Sequence, residues 1–216
     1  MIKLVIFDLD GTLLNTINDL AVSVNHALKR FDYPEHSLEE YKELVGNGIT
    51  RLVEQALPED ARDEEQVKRV RELFVAYYSA HKTDLTKPYP GIPELLEAMK
   101  HRGMILAVAS NKFQEATRDL IRYYFKEGTF LLVLGQREGI PVKPDPAVVN
   151  EILSQADVSQ EETLYIGDSS VDMQTAVNSG VKAVGVTWGF RSRQELKDNG
   201  ASYIVNEPSE ILGLLE

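Results

Sequence analysis

Cysteine is absent from this 216-residue chain, which excludes disulfides, thiolate nucleophiles and cysteine-held zinc. The absence fits a reducing cytosol, and a cytoplasmic protein is expected. Positive charge is scarce: 23 Lys and Arg stand against 34 Asp and Glu, a formal net charge of −11. Such a surface repels nucleic acid and anionic membrane, so neither is expected as a partner. An anionic substrate would need positive charge concentrated locally. The few histidines, His26, His36, His81 and His101, share no metal-like spacing. Long apolar runs are missing too, since "ILAVA" and "FLLVL" are far too short to span a bilayer. The N-terminus runs straight into an apolar segment, so no signal peptide is expected. The sequence shows no internal repeat and no low-complexity tract.

What is present is a rhythm. Hydrophobic residues make up 43% of the chain, enough for a sizeable core. Short runs rich in Val, Ile and Leu at 3–8, 104–110, 130–134, 163–167, 182–187 and 202–205 read as strands covered on both faces. Amphipathic stretches lie between them. Ile92, Leu95, Leu96 and Met99 form one stripe, and Met173, Ala176 and Val177 another. The pattern predicts an α/β fold with a mostly parallel sheet and helices on both faces. Residues 15–86 break the alternation. Leu20, Val24, Leu28 and Phe31 mark one helix, and Val67, Val70, Phe74 and Tyr77 another. The expected organisation is therefore an α/β core of residues 1–14 and 87–216, with a helical insertion, residues 15–86, after the first strand.

Polar clusters fall where the strands should end, which is where parallel α/β sheets bind ligands. Asp8 and Asp10 follow the first strand, and Ser110, Asn111 and Lys112 follow "ILAVA". Lys143 sits in "IPVKPDP", and Asp168 and Asp172 follow "LYIG". Asp8 and Asp10 point the same way if the chain stays extended, because side chains alternate with period two. One carboxylate can attack phosphorus to give an aspartyl-phosphate, while the other serves as acid and then base. Gly11 lets the chain turn sharply beside a phosphoryl group. Clustered carboxylates repel a phosphate dianion, so Mg²⁺, which takes a few carboxylates, a carbonyl and waters, is the expected cofactor.

"DLDGTLL", "ASNK", "VKPDP" and "GDSSVDM" resemble, in order and spacing, the four motifs of the haloacid dehalogenase superfamily. The resemblance implies a Rossmann-like core and a Mg²⁺-dependent phosphatase acting on small phosphorylated metabolites. It implies Asp8 as nucleophile, Asp10 as general acid/base, and Lys143 offsetting charge on nucleophile and phosphate. Ser110 and the Asn111 amide would bind the phosphoryl group, beside Gly11 and Thr12. Asp168 would hold Mg²⁺ with Asp8 and the Asp10 main-chain carbonyl, and Asp172 would orient metal-bound water or Lys143.

The helical insertion resembles the small α-helical cap of the phosphoglycolate phosphatase branch. Its Gly46-Asn47-Gly48 loop reads either as a substrate-facing element or as a helix-to-helix turn. Arg51 reads equally as a ligand for a substrate carboxylate or as half of a surface ion pair. Gln55 stands where that branch often carries arginine, and "KPDPAVV" is shorter than its "KPxPxP". Asp10 argues against dehalogenase chemistry. A phosphosugar mutase, a pyrophosphatase and a non-catalytic regulatory protein of the same fold stay open, as does the choice between monomer and homodimer.

Overall fold

The computed structural model describes residues 1–215. Its main sheet contains β1 (Leu4–Phe7), β4 (Ile105–Phe113), β5 (Leu132–Gln136), β6 (Thr163–Gly167), β7 (Lys182–Val186) and β8 (Tyr203–Val205), in the spatial order β5-β4-β1-β6-β7-β8. All pairings in this sheet are parallel. β1 shows why the strands read as unbroken apolar runs. Val5 and Phe7 enter one hydrophobic cluster, Leu4 and Ile6 the cluster on the opposite face, and all four are buried. The first cluster is covered by α5 (Ile92–His101) and α6 (Gln114–Tyr124), the second by α7 (Ala147–Ala156) and α8 (Ser170–Asn178). Short α9 (Arg193–Asp198) adds Leu196 to the second.

The chain leaves β1 toward β4 and β5, then returns to β6 on the other side of β1. The order therefore reverses between β1 and β6, and a crevice opens beyond their carboxyl ends. Asp8 and Asp168 are the next residues after those two strands.

Four helices, α1 (Ile17–Arg30), α2 (Leu38–Leu44), α3 (Ile49–Ala56) and α4 (Glu64–His81), build a separate hydrophobic cluster. Leu20, Val24 and Leu28 pack there with Val67, Val70 and Phe74, as the helical stripes predict, but Tyr78 takes the place expected of Tyr77, which stacks on His26 and His81 instead. Where this bundle joins the sheet, β2 (Leu14–Asn15) pairs antiparallel with β3 (Lys87–Pro88), a two-residue ladder the sequence reading did not anticipate. Buried Asp19 ties the same junction, accepting from the Leu85 and Thr86 amides at 2.8–3.1 Å. Among the described residues no helix is long and apolar enough to cross a membrane.

Candidate active site

The turn after β1 arranges the first pair of carboxylates. The Leu9 carbonyl accepts from the amides of Thr12, Leu13 and Leu14, and the Leu9 side chain is fully buried. Asp8 and Asp10 flank it and line one cavity. Gly11, at φ +88°, makes the turn possible, and a Cβ there would collide with the Asp168 carboxylate.

Next to β1, β4 carries a bulge. Ala109 pairs with Leu134 and Phe113 with Gln136, so four steps on β4 match two on β5. The surplus turns Ser110, Asn111 and Lys112 into the cavity, all three buried. The Asn111 side chain is committed to backbone. It accepts from the Lys143 amide at 2.8 Å and donates to the Lys143 and Gly46 carbonyls at 3.1 Å each. It thus positions the lysine and one turn of the helical bundle, rather than pointing free at a substrate.

Lys143 Nζ is the centre of the site. It donates to Asp8 Oδ1 at 2.8 Å, Asp172 Oδ1 at 2.7 Å, the Tyr165 hydroxyl at 2.9 Å and the Ala109 carbonyl at 3.0 Å. Asp172 also receives Tyr165 on Oδ1 and the Ser169 amide and hydroxyl on Oδ2. Asp168 receives the Thr12 hydroxyl on one oxygen and the Phe190 amide on the other.

The electrostatics follow from this crowding. Burial, then Asp172, push the Asp8 carboxyl up to about 7, against the pull of Lys143. Burial, Asp172 and Asp8 raise Asp168 well above the usual carboxylate range. Burial disfavours charge on Lys143, but Asp172 and Asp8 outweigh it and keep the ammonium well above its ordinary range. Carboxylates with raised ionisation call for a cation. Asp8, Asp168 and Asp172 each offer an oxygen within 4.8 Å of the others. Asp172 is already saturated by four donors, whereas Asp8 is hydrogen-bonded through Oδ1 alone among the described residues. The donor set therefore fits a divalent ion held by Asp8 and Asp168, with Asp172 holding Lys143.

The helical bundle roofs the cavity with Leu20, Val45, Gly46, Gly48, Ile49 and Leu52, leaving a volume of about 40 Å³. Asn47 is exposed and does not line it. Gly11 and Thr12 do not line it either; they sit behind Asp168, with the Thr12 hydroxyl donating to that residue. Arg51 pairs on the surface with Glu54 at 2.7 Å.

Two groups central to the geometry had no assigned role in the sequence. Lys112 Nζ bridges both Asp10 oxygens at 3.1 and 3.2 Å and lies 4.7 Å from the Tyr78 ring centroid. Arg191 donates to the Lys42 carbonyl and, at 3.0 Å each, to those of Glu43 and Val45, at the end of α2. Its position after "TWGF" was the available signal, because that loop follows β7 at the ligand-binding edge.

The comparisons with known proteins agree with this layout. The haloacid dehalogenase-like hydrolase family matches residues 5–186. The phosphoglycolate phosphatase of Mannheimia succiniciproducens is 31% identical over 219 residues, covering 99% of this chain and 98% of its own length. That of Aquifex aeolicus is 29% identical over 214 residues, covering 99% and 97%. A crystal structure from Lactobacillus delbrueckii subsp. bulgaricus superposes with a TM-score of 0.93 at 34% identity, covering 99% of this chain and 98% of that one. With the motifs gathered at one sheet edge and the match spanning most of its length, the chain belongs to the haloacid dehalogenase-like hydrolase family.

Proposed function

We propose that this enzyme is a Mg²⁺-dependent phosphatase of small phosphorylated metabolites, phosphoglycolate-like monoesters above all, working through an aspartyl-phosphate on Asp8. One observation carries the reading: Lys143 joins Asp8 to Asp172 in a buried cluster, with Asp10 on the same cavity wall. The names of the curated relatives support the substrate class.

In this reading the Asp8 carboxylate attacks phosphorus and the bond to the leaving oxygen breaks. Asp10, as the acid, gives its proton to that oxygen. Asp10 then takes a proton from the water that attacks the aspartyl-phosphate, and inorganic phosphate is released. Lys143 holds Asp8 in place and balances charge on the phosphoryl oxygens. Ser110, on the cavity wall, would donate its hydroxyl to one of them. A divalent cation on Asp8, Asp168 and the Asp10 carbonyl would offset the remaining negative charge and hold phosphate against the nucleophile. The helical bundle, acting as a cap, would exclude water from the carboxylate pair. A cytoplasmic enzyme, monomer or homodimer, completes the proposal.

The test is phosphate release from a panel containing 2-phosphoglycolate, sugar phosphates and pyrophosphate, with Mg²⁺ and with excess chelator. Metal-dependent release with the highest kcat/KM on 2-phosphoglycolate is expected. Sugar phosphate isomerisation without phosphate release would instead identify a mutase, and preference for pyrophosphate a pyrophosphatase. Full activity in chelator would remove the metal.

A further inference from the structure

Three cations line the cavity: Lys143, Arg191 and Lys112. Lys143 is committed to four acceptors in the sheet layer, two of them carboxylates. Arg191 is committed to the carbonyls that end α2 and to Glu195 at 3.5 Å. Lys112 differs. Its side chain is only 2% exposed, and its one carboxylate partner among the described residues is Asp10. On its other side lies the face of Tyr78, from α4 of the bundle, whose buried hydroxyl has no partner among the described residues. Lys112 therefore stands at the seam between bundle and sheet, beside the group that serves the leaving oxygen.

We propose that Lys112 is the specificity-determining residue that pairs with a second negative group on the leaving portion of the substrate, a carboxylate close to the ester oxygen. The inference rests on the phosphatase reading above and deepens it. In 2-phosphoglycolate the carboxyl carbon is two bonds from the leaving oxygen. The residue that protonates that oxygen and the residue that pairs with the carboxylate must then be immediate neighbours, as Asp10 and Lys112 are at 3.1–3.2 Å. A buried ammonium over an aromatic face loses little to solvent and favours a compact anion over a neutral hydroxyl. Lys112 also supplies positive charge that Lys143 and a divalent ion alone leave short among four aspartates.

The experiment measures binding, so that it stands apart from turnover. The Asp8→Asn protein, with Mg²⁺ present, is titrated with 2-phosphoglycolate and with 2-hydroxyethyl phosphate, which matches it in length but lacks the carboxylate. The first ligand should bind about 10- to 100-fold more tightly. Lys112→Met in the same background should reduce that ratio to near unity, and Lys112→Arg should restore part of it. A ratio near unity before Lys112 is changed overturns the proposal, even should Lys112→Met fail to fold. An equal loss for both ligands in Lys112→Met also overturns it, leaving Lys112 as a partner of Asp10 alone. The hydrolase reading is judged separately, by phosphate release from the unsubstituted enzyme.

Discussion

Asp8 is the residue on which stability and function pull in opposite directions. In the folded, metal-free protein its carboxyl ionises at about 7, up from 3.8, chiefly because it is buried and faces Asp172. A folded state that keeps a proton longer than the unfolded chain has its full advantage below the unfolded value. It loses that advantage as pH rises through the folded one. The metal-free protein should therefore lose stability between about pH 4 and 7 on this account. Mg²⁺ should raise Tm more at pH 8 than at pH 6, and thermal melts in chelator and in Mg²⁺ read the difference directly. An increment that does not depend on pH would mean that Asp8 is not where cation and proton compete. Gly189 offers a second test at this scale. A Cβ there would overlap Asp168 Cβ, although the backbone φ is not in the left-handed region. Gly189→Ala should displace Asp168 and weaken Mg²⁺ binding about 10- to 100-fold while the chain still folds. Calorimetric titration measures it, and unchanged affinity would take Asp168 out of the ligand set.

Elements decide which of these groups meet. Strand identity was legible because both faces of the sheet are covered, so β1 is written as an uninterrupted apolar run, and β6 and β7 as largely apolar runs that follow Thr163 and Lys182. The edges were less so. The 130–134 run shifts to Leu132–Gln136, with Leu131 55% exposed, and β4 continues four residues past its apolar part because pairing resumes at Phe113 and Gln136 beyond the bulge. In α8, Met173 and Ala176 are buried but Val177 is 56% exposed, because only a narrow face of that helix meets the sheet. The aspartates and Lys143 could be placed from strand ends alone. Lys112, Tyr165, Asp19 and Arg191 could not, because each acts through a long-range contact that only the bulge, the neighbouring strand or the bundle junction creates. Arg191 shows what such a contact does. Its guanidinium satisfies the carbonyls ending α2 and complements that end of the helix dipole. Arg191→Met should destabilise the protein by about 2 kcal/mol. It should also raise KM several-fold with a smaller effect on kcat, because the loop at Gly46 and Gly48 would no longer be held over the cavity. Urea unfolding with steady-state kinetics checks both, and unchanged kinetics would leave Arg191 a purely structural tie.

For the whole molecule, the bundle roofs the cavity that Asp8 and Asp10 line, so closure of the bundle over a bound substrate is the motion the proposed function calls for. The junction suits such motion: β2 and β3 form only a two-residue ladder, and buried Asn15 Oδ1, Thr16 Oγ1 and Thr86 Oγ1 beside it have no partner among the described residues. The absence of cysteine makes the motion measurable. Cysteines introduced at exposed Val22, in the bundle, and Leu131, in the core, would be the only thiols for paired labels. Their distance distribution should show open and closed populations, shifted toward closed by Mg²⁺ with orthovanadate; a single, ligand-independent distance would refute closure.

The proposed function turns on Asp8 attacking phosphorus. The most direct test is to quench the enzyme within its first turnover of a phosphomonoester in Mg²⁺ and map the protein by mass spectrometry. The account predicts one phosphoryl group, carried on the peptide containing Asp8 and absent from Asp8→Asn. Phosphate release with no labelled protein at any quench time, or a label on another residue, would contradict it.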